Sequence, residues 1–215
     1  MNDALLAGAS GLIGREVLRQ WTGPGTLHCL VRKPQAAAPR TQVQVRVVDY
    51  AALPQLPAAA SAICCLGTTI KTAGSQAAFR AVDFDAVIAF AQAARRAGVK
   101  RFAVVSALGA NAKSGNFYSR VKGEMEARLA TLGFETLVIA RPSLLAGDRA
   151  SLGQPLRRGE LWTLALTKPL AALIPAAWRP IEAATVARAM LRGLNEGQPG
   201  IHVLSSGRMQ VLGKA

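Results

Sequence analysis

The chain has 215 residues, 51% of them hydrophobic and 18% charged, which excludes a disordered chain and leaves enough apolar surface to order a single compact domain. Lys and Arg number 26 against 12 Asp and Glu, a formal net charge of +14, yet the cations come singly or in pairs such as Arg95-Arg96 and Lys100-Arg101, with only 5% aromatic residues. That pattern argues against nucleic acid as a partner. Three cysteines lack disulfide or metal spacing, and the two histidines, His28 and His202, sit in strand-like runs as packed imidazoles, so metal chemistry and histidine-dependent hydrolysis lose their support.

The start of the chain, MNDALLAGASG, shows neither a basic segment nor a long apolar one, and the expected location is cytoplasmic. Ala4 to Ala7 is a short apolar run ending at Gly8; Leu12 to Trp21 then carries Ile13, Val17, Leu18 and Trp21 at helical spacing. Strand, glycine turn and helix follow in that order. Leu27 to Val31 and Val43 to Val48 read as further strands, the first closed by Arg32-Lys33-Pro34 and the second by Asp49-Tyr50. Ser61 to Leu66 is continuously apolar, as a strand covered on both faces would be. Ser75 to Ala97 is expected to be one helix with Phe79, Val82, Ala86, Phe90, Ala93 and Ala97 on its buried face.

The rhythm repeats with a strand at Phe102 to Val105, a helix at Phe117 to Leu132 and a strand at Thr136 to Ala140. Strands alternating with helices imply right-handed crossovers and a doubly wound parallel α/β sheet with helices on both faces, here one domain over residues 1–215. After Pro142 the order loosens. Residues 143–180 read as a small C-terminal substrate cap, followed by a helix over Ala183 to Leu194 and a last strand over Ile201 to Leu204. The apolar stretch Leu161 to Trp178 is broken by Lys168, Pro169 and Pro175, so it reads as a packed segment, a lid or a homodimer contact, with no membrane span.

The chemistry starts at Gly8-Ala9-Ser10-Gly11-Leu12-Ile13-Gly14, between the first strand and the first helix. Glycines allow a tight turn and close approach of backbone to a pyrophosphate, and the helix N-terminus offers unpaired N–H groups. The segment has no GK[ST] of an ATPase loop and no GxSxG of a nucleophile elbow. Where an NAD site would place an acid for the ribose hydroxyl, at the end of the second strand, stand Arg32 and Lys33, a match for a 2′-phosphate. The expected cofactor is therefore NADP(H) in preference to NAD(H), with Ser10 adding a hydroxyl to the same phosphate.

The GxxGxxG spelling resembles that of the short-chain dehydrogenase/reductase superfamily. The resemblance implies that Asp49 and Tyr50 flank the adenine and that Leu66, Gly67, Thr68 and Thr69 line the middle of the cofactor. Further along, Ser106 ends a strand, and Tyr118 and Lys122 follow with YxxxK spacing, which sets the ammonium on the same helical face as the phenol. A phenol ordinarily ionises near about pH 10, and a neighbouring cation brings it toward the working range of a proton donor.

GASGLIG, LGTTIKTAGSQAAFRAVDFD, VVSALGAN, YSRVKGEME and ARPSLLAG together resemble the atypical short-chain NAD(P)H-binding proteins related to the Tat-interactive-protein oxidoreductase, grouped with NAD-dependent epimerase/dehydratase-like proteins, over about residues 3–195. This resemblance implies a Rossmann-type fold, NADP(H) binding and a Ser106, Tyr118, Lys122 site, with Lys122 also holding a ribose and Arg141, Pro142 and Ser143 beside the nicotinamide. The expected function is hydride transfer with a small carbonyl or alcohol substrate; the alternative is an NADP(H)-binding sensor with little turnover. A sugar-nucleotide epimerase needs a larger substrate domain than the residues after Pro142 supply.

Overall fold

The computed structural model describes residues 3–33, 42–146 and 178–213. Strands β1 (Ala4–Ala7), β2 (Leu27–Val31), β3 (Val43–Val47), β4 (Ser61–Cys64), β5 (Arg101–Val105), β6 (Thr136–Arg141) and β9 (Gly200–Ser205) form a seven-stranded sheet, while β7 (Leu145–Ala146) and β8 (Ile181–Glu182) form a separate pair. The order β3-β2-β1-β4-β5-β6-β9 is parallel throughout. It is the doubly wound Rossmann-type arrangement expected from the sequence.

Alternation along each strand feeds two cores. Leu5, Leu30, Cys64, Phe102 and Ile139 face α4 (Val87–Arg96) and α5 (Phe117–Ala130), where they meet Phe90, Met125 and Leu129. Their neighbours Leu6, Cys29, Ile63, Ala103 and Val138 face the other way, toward α1 (Leu12–Gln20) and α6 (Ala183–Glu196), and meet Ile13, Val17, Val186 and Met190. All residues of β1 and β2 are buried, as a sheet covered on both faces requires. Both histidines have structural partners: His28 is buried with Nε2 3.3 Å from Asp3 Oδ2, and His202 Nε2 lies 2.6 Å from the Gln198 carbonyl.

The helix expected over Ser75 to Ala97 is built in three parts: α3 (Gln76–Arg80), a π-helical stretch (Ala81–Ala86) and α4. The wider π turn shifts the inward face by one residue. Asp83 and Val87 are fully buried, whereas Val82 and Ala86, expected inside, are only half-buried. Two short helices have no apolar period long enough to read in advance: α2 (Ile70–Ala73), capped by Thr69, and α7 (Ser206–Leu212), capped by Ser205. Of the apolar stretch ending at Trp178 only that exposed tryptophan is described, and residues 147–177 of the expected cap lie outside the described residues. Among the described residues no helix is long and apolar enough to cross a membrane, and no cluster of metal-ligating side chains occurs.

Candidate active site

The sheet order reverses at β1 and β4, so their C-terminal ends open a crevice. Gly8 turns out of β1 with φ of 82°, and a Cβ on it would lie 2.5 Å from the Cys65 carbonyl carbon. A Cβ on Gly14 would lie 2.1 Å from the Gly8 oxygen, so both positions require glycine to bring β1, β4 and α1 together. Gly11 is different. A Cβ there would meet only the Gly8 oxygen at 3.5 Å, an ordinary contact, so packing does not demand glycine and the bare backbone leaves the start of α1 approachable. No side chain caps that helix and its first turn has no acid, which leaves its N–H groups free to receive an anion. These features fit a dinucleotide pyrophosphate.

Around this turn, Ser10 is exposed, Leu12 half-buried and Ile13 buried, while Arg32 and Lys33 are exposed just beyond β2. Asp49 is also exposed, with its carboxylate accepting the Ala51 N–H at 2.9 Å. Tyr50 is buried in the core instead, its hydroxyl donating to the Leu30 carbonyl at 3.0 Å and its phenol pushed upward by burial. Leu66 packs against the core, Gly67 is exposed, and Thr69 caps α2. The Thr68 N–H donates to Asp83 Oδ2 at 2.8 Å. The thiols nearby are held in the protonated form: burial pushes Cys29 up to about 11, Cys64 up to about 12 and Cys65 well above its ordinary value.

Helix α5 is capped by Asn116, which accepts the Ser119 N–H, and sets Tyr118, Lys122 and Glu126 one turn apart along one stripe. The Tyr118 ring packs on Phe79 with centroids 5.3 Å apart. Lys122 Nζ lies 2.8 Å from Asp83 Oδ1 and 3.5 Å from the Val105 carbonyl, with the two side chains 3% and 1% exposed. Burial works against the ammonium, but the attraction of Asp83, followed by that of the Tyr118 phenol, outweighs it and holds Lys122 above the usual lysine range. The lysine is therefore a fixed positive charge.

Ser106, also buried, donates its hydroxyl to Glu126 Oε1. Arg141 grips the same carboxylate with a fork, Nε at 3.0 Å from Oε1 and a second N–H on Oε2, and this bond to Glu126 holds the guanidinium above its ordinary value. Glu126 and Arg141 are the charged lining of a 530 Å³ cavity between α5, β6 and residues 110–112. The Pro142 carbonyl accepts the Leu108 N–H at 2.9 Å, and Ser143 bonds the Arg179 carbonyl and lies 2.9 Å from Ser206 Oγ.

The fold thus brings Lys122, one turn along α5 from Tyr118, beside Gly67 and, through Asp83, to Thr68, while Ser106 is bonded to Glu126. Arg141 and Ser143 are likewise engaged with protein partners. Two residues in this network escaped sequence reasoning. Glu126 carried a readable signal, one turn beyond Lys122 on the same stripe; Asp83, one turn after Phe79, reads as the polar edge of an apolar face, with nothing in the spacing to name its partners.

A glycine turn that feeds a bare helix N-terminus where the strand order reverses defines a Rossmann-type dinucleotide-binding protein. Residues 8–154 match the model of an NAD(P)H-binding family, and the chain belongs to that family. It is 32% identical to protein HTATIP2 of Rattus norvegicus over 222 residues, covering 98% of this chain and 85% of that one. It is 34% identical to the mitochondrial protein fmp52 of Emericella nidulans over 163 residues, 69% of each chain. Among solved structures, MoeE5 in complex with UDP-glucose and NAD superposes with a TM-score of 0.69 at 17% identity, covering 94% of this chain and 75% of that one. A short chain dehydrogenase family protein from Francisella tularensis gives 0.67 at 12% identity, covering 98% and 99%. The fold is shared with these solved dehydrogenase and nucleotide-sugar proteins, and the chain is a member of the NAD(P)H-binding family.

Proposed function

We propose that this chain is an NADP(H)-dependent oxidoreductase that transfers hydride between the nicotinamide and a small carbonyl or alcohol substrate. The observation that carries this reading is the placement of Tyr118 and Lys122 on one face of α5, linked through Asp83 to Thr68 at the mouth of the β1/β4 crevice. The Gly8–Gly14 turn would hold the pyrophosphate, and Ser10, Arg32 and Lys33 the 2′-phosphate that separates NADP(H) from NAD(H). The dinucleotide supplies or takes up the hydride. Tyr118 gives its hydroxyl proton to the substrate oxygen on reduction and takes it back on oxidation, and Lys122 supports the phenolate with its charge. Ser106 has one proton, and Glu126 receives it. What the hydroxyl can offer a substrate is lone pairs, which suit the O–H of an alcohol better than the oxygen of a ketone.

NADPH and NADH titrated against the full chain, followed by fluorescence of the reduced nicotinamide, test the cofactor. NADPH oxidation with a panel of aldehydes, ketones and quinones tests the chemistry. Tight NADPH binding with turnover that Tyr118→Phe abolishes is expected; a chain that binds neither nucleotide overturns the reading. A second reading, an NADP(H) sensor with little turnover, is favoured by one observation: the polar atoms of both Lys122 and Ser106 are already engaged inside the protein. Tight binding with no oxidation of NADPH by any member of the panel would select it.

A further inference from the structure

Asp83 belongs to no motif in the sequence, yet three elements meet at its carboxylate. It projects inward from the π-helical stretch and is fully buried. Its Oδ2 accepts the Thr68 N–H, and its Oδ1 stands 2.8 Å from Lys122 Nζ. At 2.8 Å the two form a close, buried ion pair. The backbone of Gly67 lies directly against the pair: a Cβ there would be 3.4 Å from Oδ1 and 3.9 Å from Nζ.

A lone ammonium next to a phenol stabilises the phenolate. An ammonium in contact with a carboxylate acts as a dipole, whose field at the phenol is weaker and falls off faster. We infer that Asp83 is a positioning residue: held by Thr68, it fixes Lys122 and offsets the ammonium's field at Tyr118, so the readiness of Tyr118 to release its proton is set by the carboxylate together with the lysine. The inference rests on the oxidoreductase reading in taking Tyr118 as the proton donor.

The remaining groups around the pair leave this balance to Asp83. From β4, Lys122 feels the Cys64 thiol, which burial holds up to about 12 and therefore uncharged. From α3, Phe79 faces Tyr118 without charge, and Arg80 is joined to Glu124 of α5 at 2.6 Å as a compensated couple. On α5 itself, Glu126 is matched by Arg141.

The chain holds two tyrosines, and Tyr50 is buried with its phenol pushed far upward, so phenolate absorbance during a pH titration of the native full chain reports Tyr118. The titration is run without cofactor or substrate, and Tyr118→Phe, which should remove the transition, fixes the assignment. In Asp83→Asn the phenolate is expected to form about one pH unit lower, because an opposing negative charge is gone. In Asp83→Asn combined with Lys122→Met it is expected within a few tenths of the parent, since the two offsetting charges leave together. A neutral pair in place of a buried ion pair commonly folds well, so the double variant decides the matter even if the single one does not fold. An unmoved transition in Asp83→Asn, or a double variant shifted upward by about one unit, overturns the inference by showing that Asp83 offsets nothing at Tyr118. Either result leaves hydride transfer standing, and an absence of NADPH turnover leaves the titration result standing.

Discussion

Two of the ion pairs on helix α5, those of Lys122 and Glu126, stand one turn apart on the same stripe and are built on opposite plans. Lys122–Asp83 is sealed, with side chains 3% and 1% exposed, and joins a point charge to a carboxylate whose other oxygen is held by a backbone N–H. Arg141–Glu126 is half open: the guanidinium is 33% exposed, the carboxylate 8%, and the geometry is a fork with the Ser106 hydroxyl as a third donor. Water cannot replace a lost partner in the first pair, while it can reach the arginine of the second. The sealed pair thus keeps its charges out of water's reach beside Tyr118, and the open pair gives the neighbouring cavity a polar wall.

The largest expected effect follows from breaking the sealed pair on one side. Lys122→Ala leaves Asp83 alone in the interior and should remove about 3–5 kcal/mol of stability in urea unfolding; a loss below about 1 kcal/mol would erase the distinction between the pairs. The sign of the pH dependence follows as well. Because the folded state holds Lys122 above the usual lysine range, its contribution is complete below that range and disappears as pH climbs through the raised folded-state value. Thermal unfolding of the parent should therefore weaken at strongly basic pH more steeply than that of the variant lacking both charges.

Glu126→Gln comes next, at about 1–3 kcal/mol by the same unfolding measurement, since solvent takes over part of what Arg141 loses. A cost equal to that of Lys122→Ala would reverse the comparison. Arg32→Ala sharpens it from an exposed cation: folding stability should be unchanged, while the Kd for NADPH rises about tenfold and that for NADH stays put. Equal losses for both nucleotides would remove the case for a 2′-phosphate site. The smallest effect is expected at Asp3, whose carboxyl is held below the usual range first by the Thr26 N–H and then by His28. Asp3→Asn should cost about 0.5 kcal/mol at neutral pH, and the difference should fade as pH falls through the folded-state value, below which the parent carboxyl is neutral too.

How much of this was legible depended on whether a residue's role was local. The β1–α1 turn reads directly from its glycines, because Gly8 and Gly14 are required by contacts within the turn and with the strand beside it. The strands and the two-core arrangement read from apolar runs and alternation, with ends shifted by a residue or two. Tyr118 and Lys122 share a face by spacing alone. Ser106 was read correctly as the end of a strand, but its bond to Glu126 depends on how α5 lies against β5 and β6, which no spacing encodes. Asp83 was hidden for a sharper reason. Four residues after Phe79 and seven before Phe90, it shares their side of the helix, but a lone carboxylate there reads as the solvated edge of an apolar stripe, and its partners Lys122 and Thr68 are brought to it only by the fold. At Tyr50 the sequence shows a tyrosine after a strand end, and what the spacing could not show is that its hydroxyl donates to the Leu30 carbonyl.

The thiol of Cys65 follows β4 directly and its backbone abuts Gly8, in surroundings that keep its proton in place. A protonated sulfur reacts slowly with alkylating reagents, so labelling of this half-buried thiol in the native chain should be slow. Iodoacetamide uptake at this position, compared with and without NADPH, should fall further when a dinucleotide is seated against the turn.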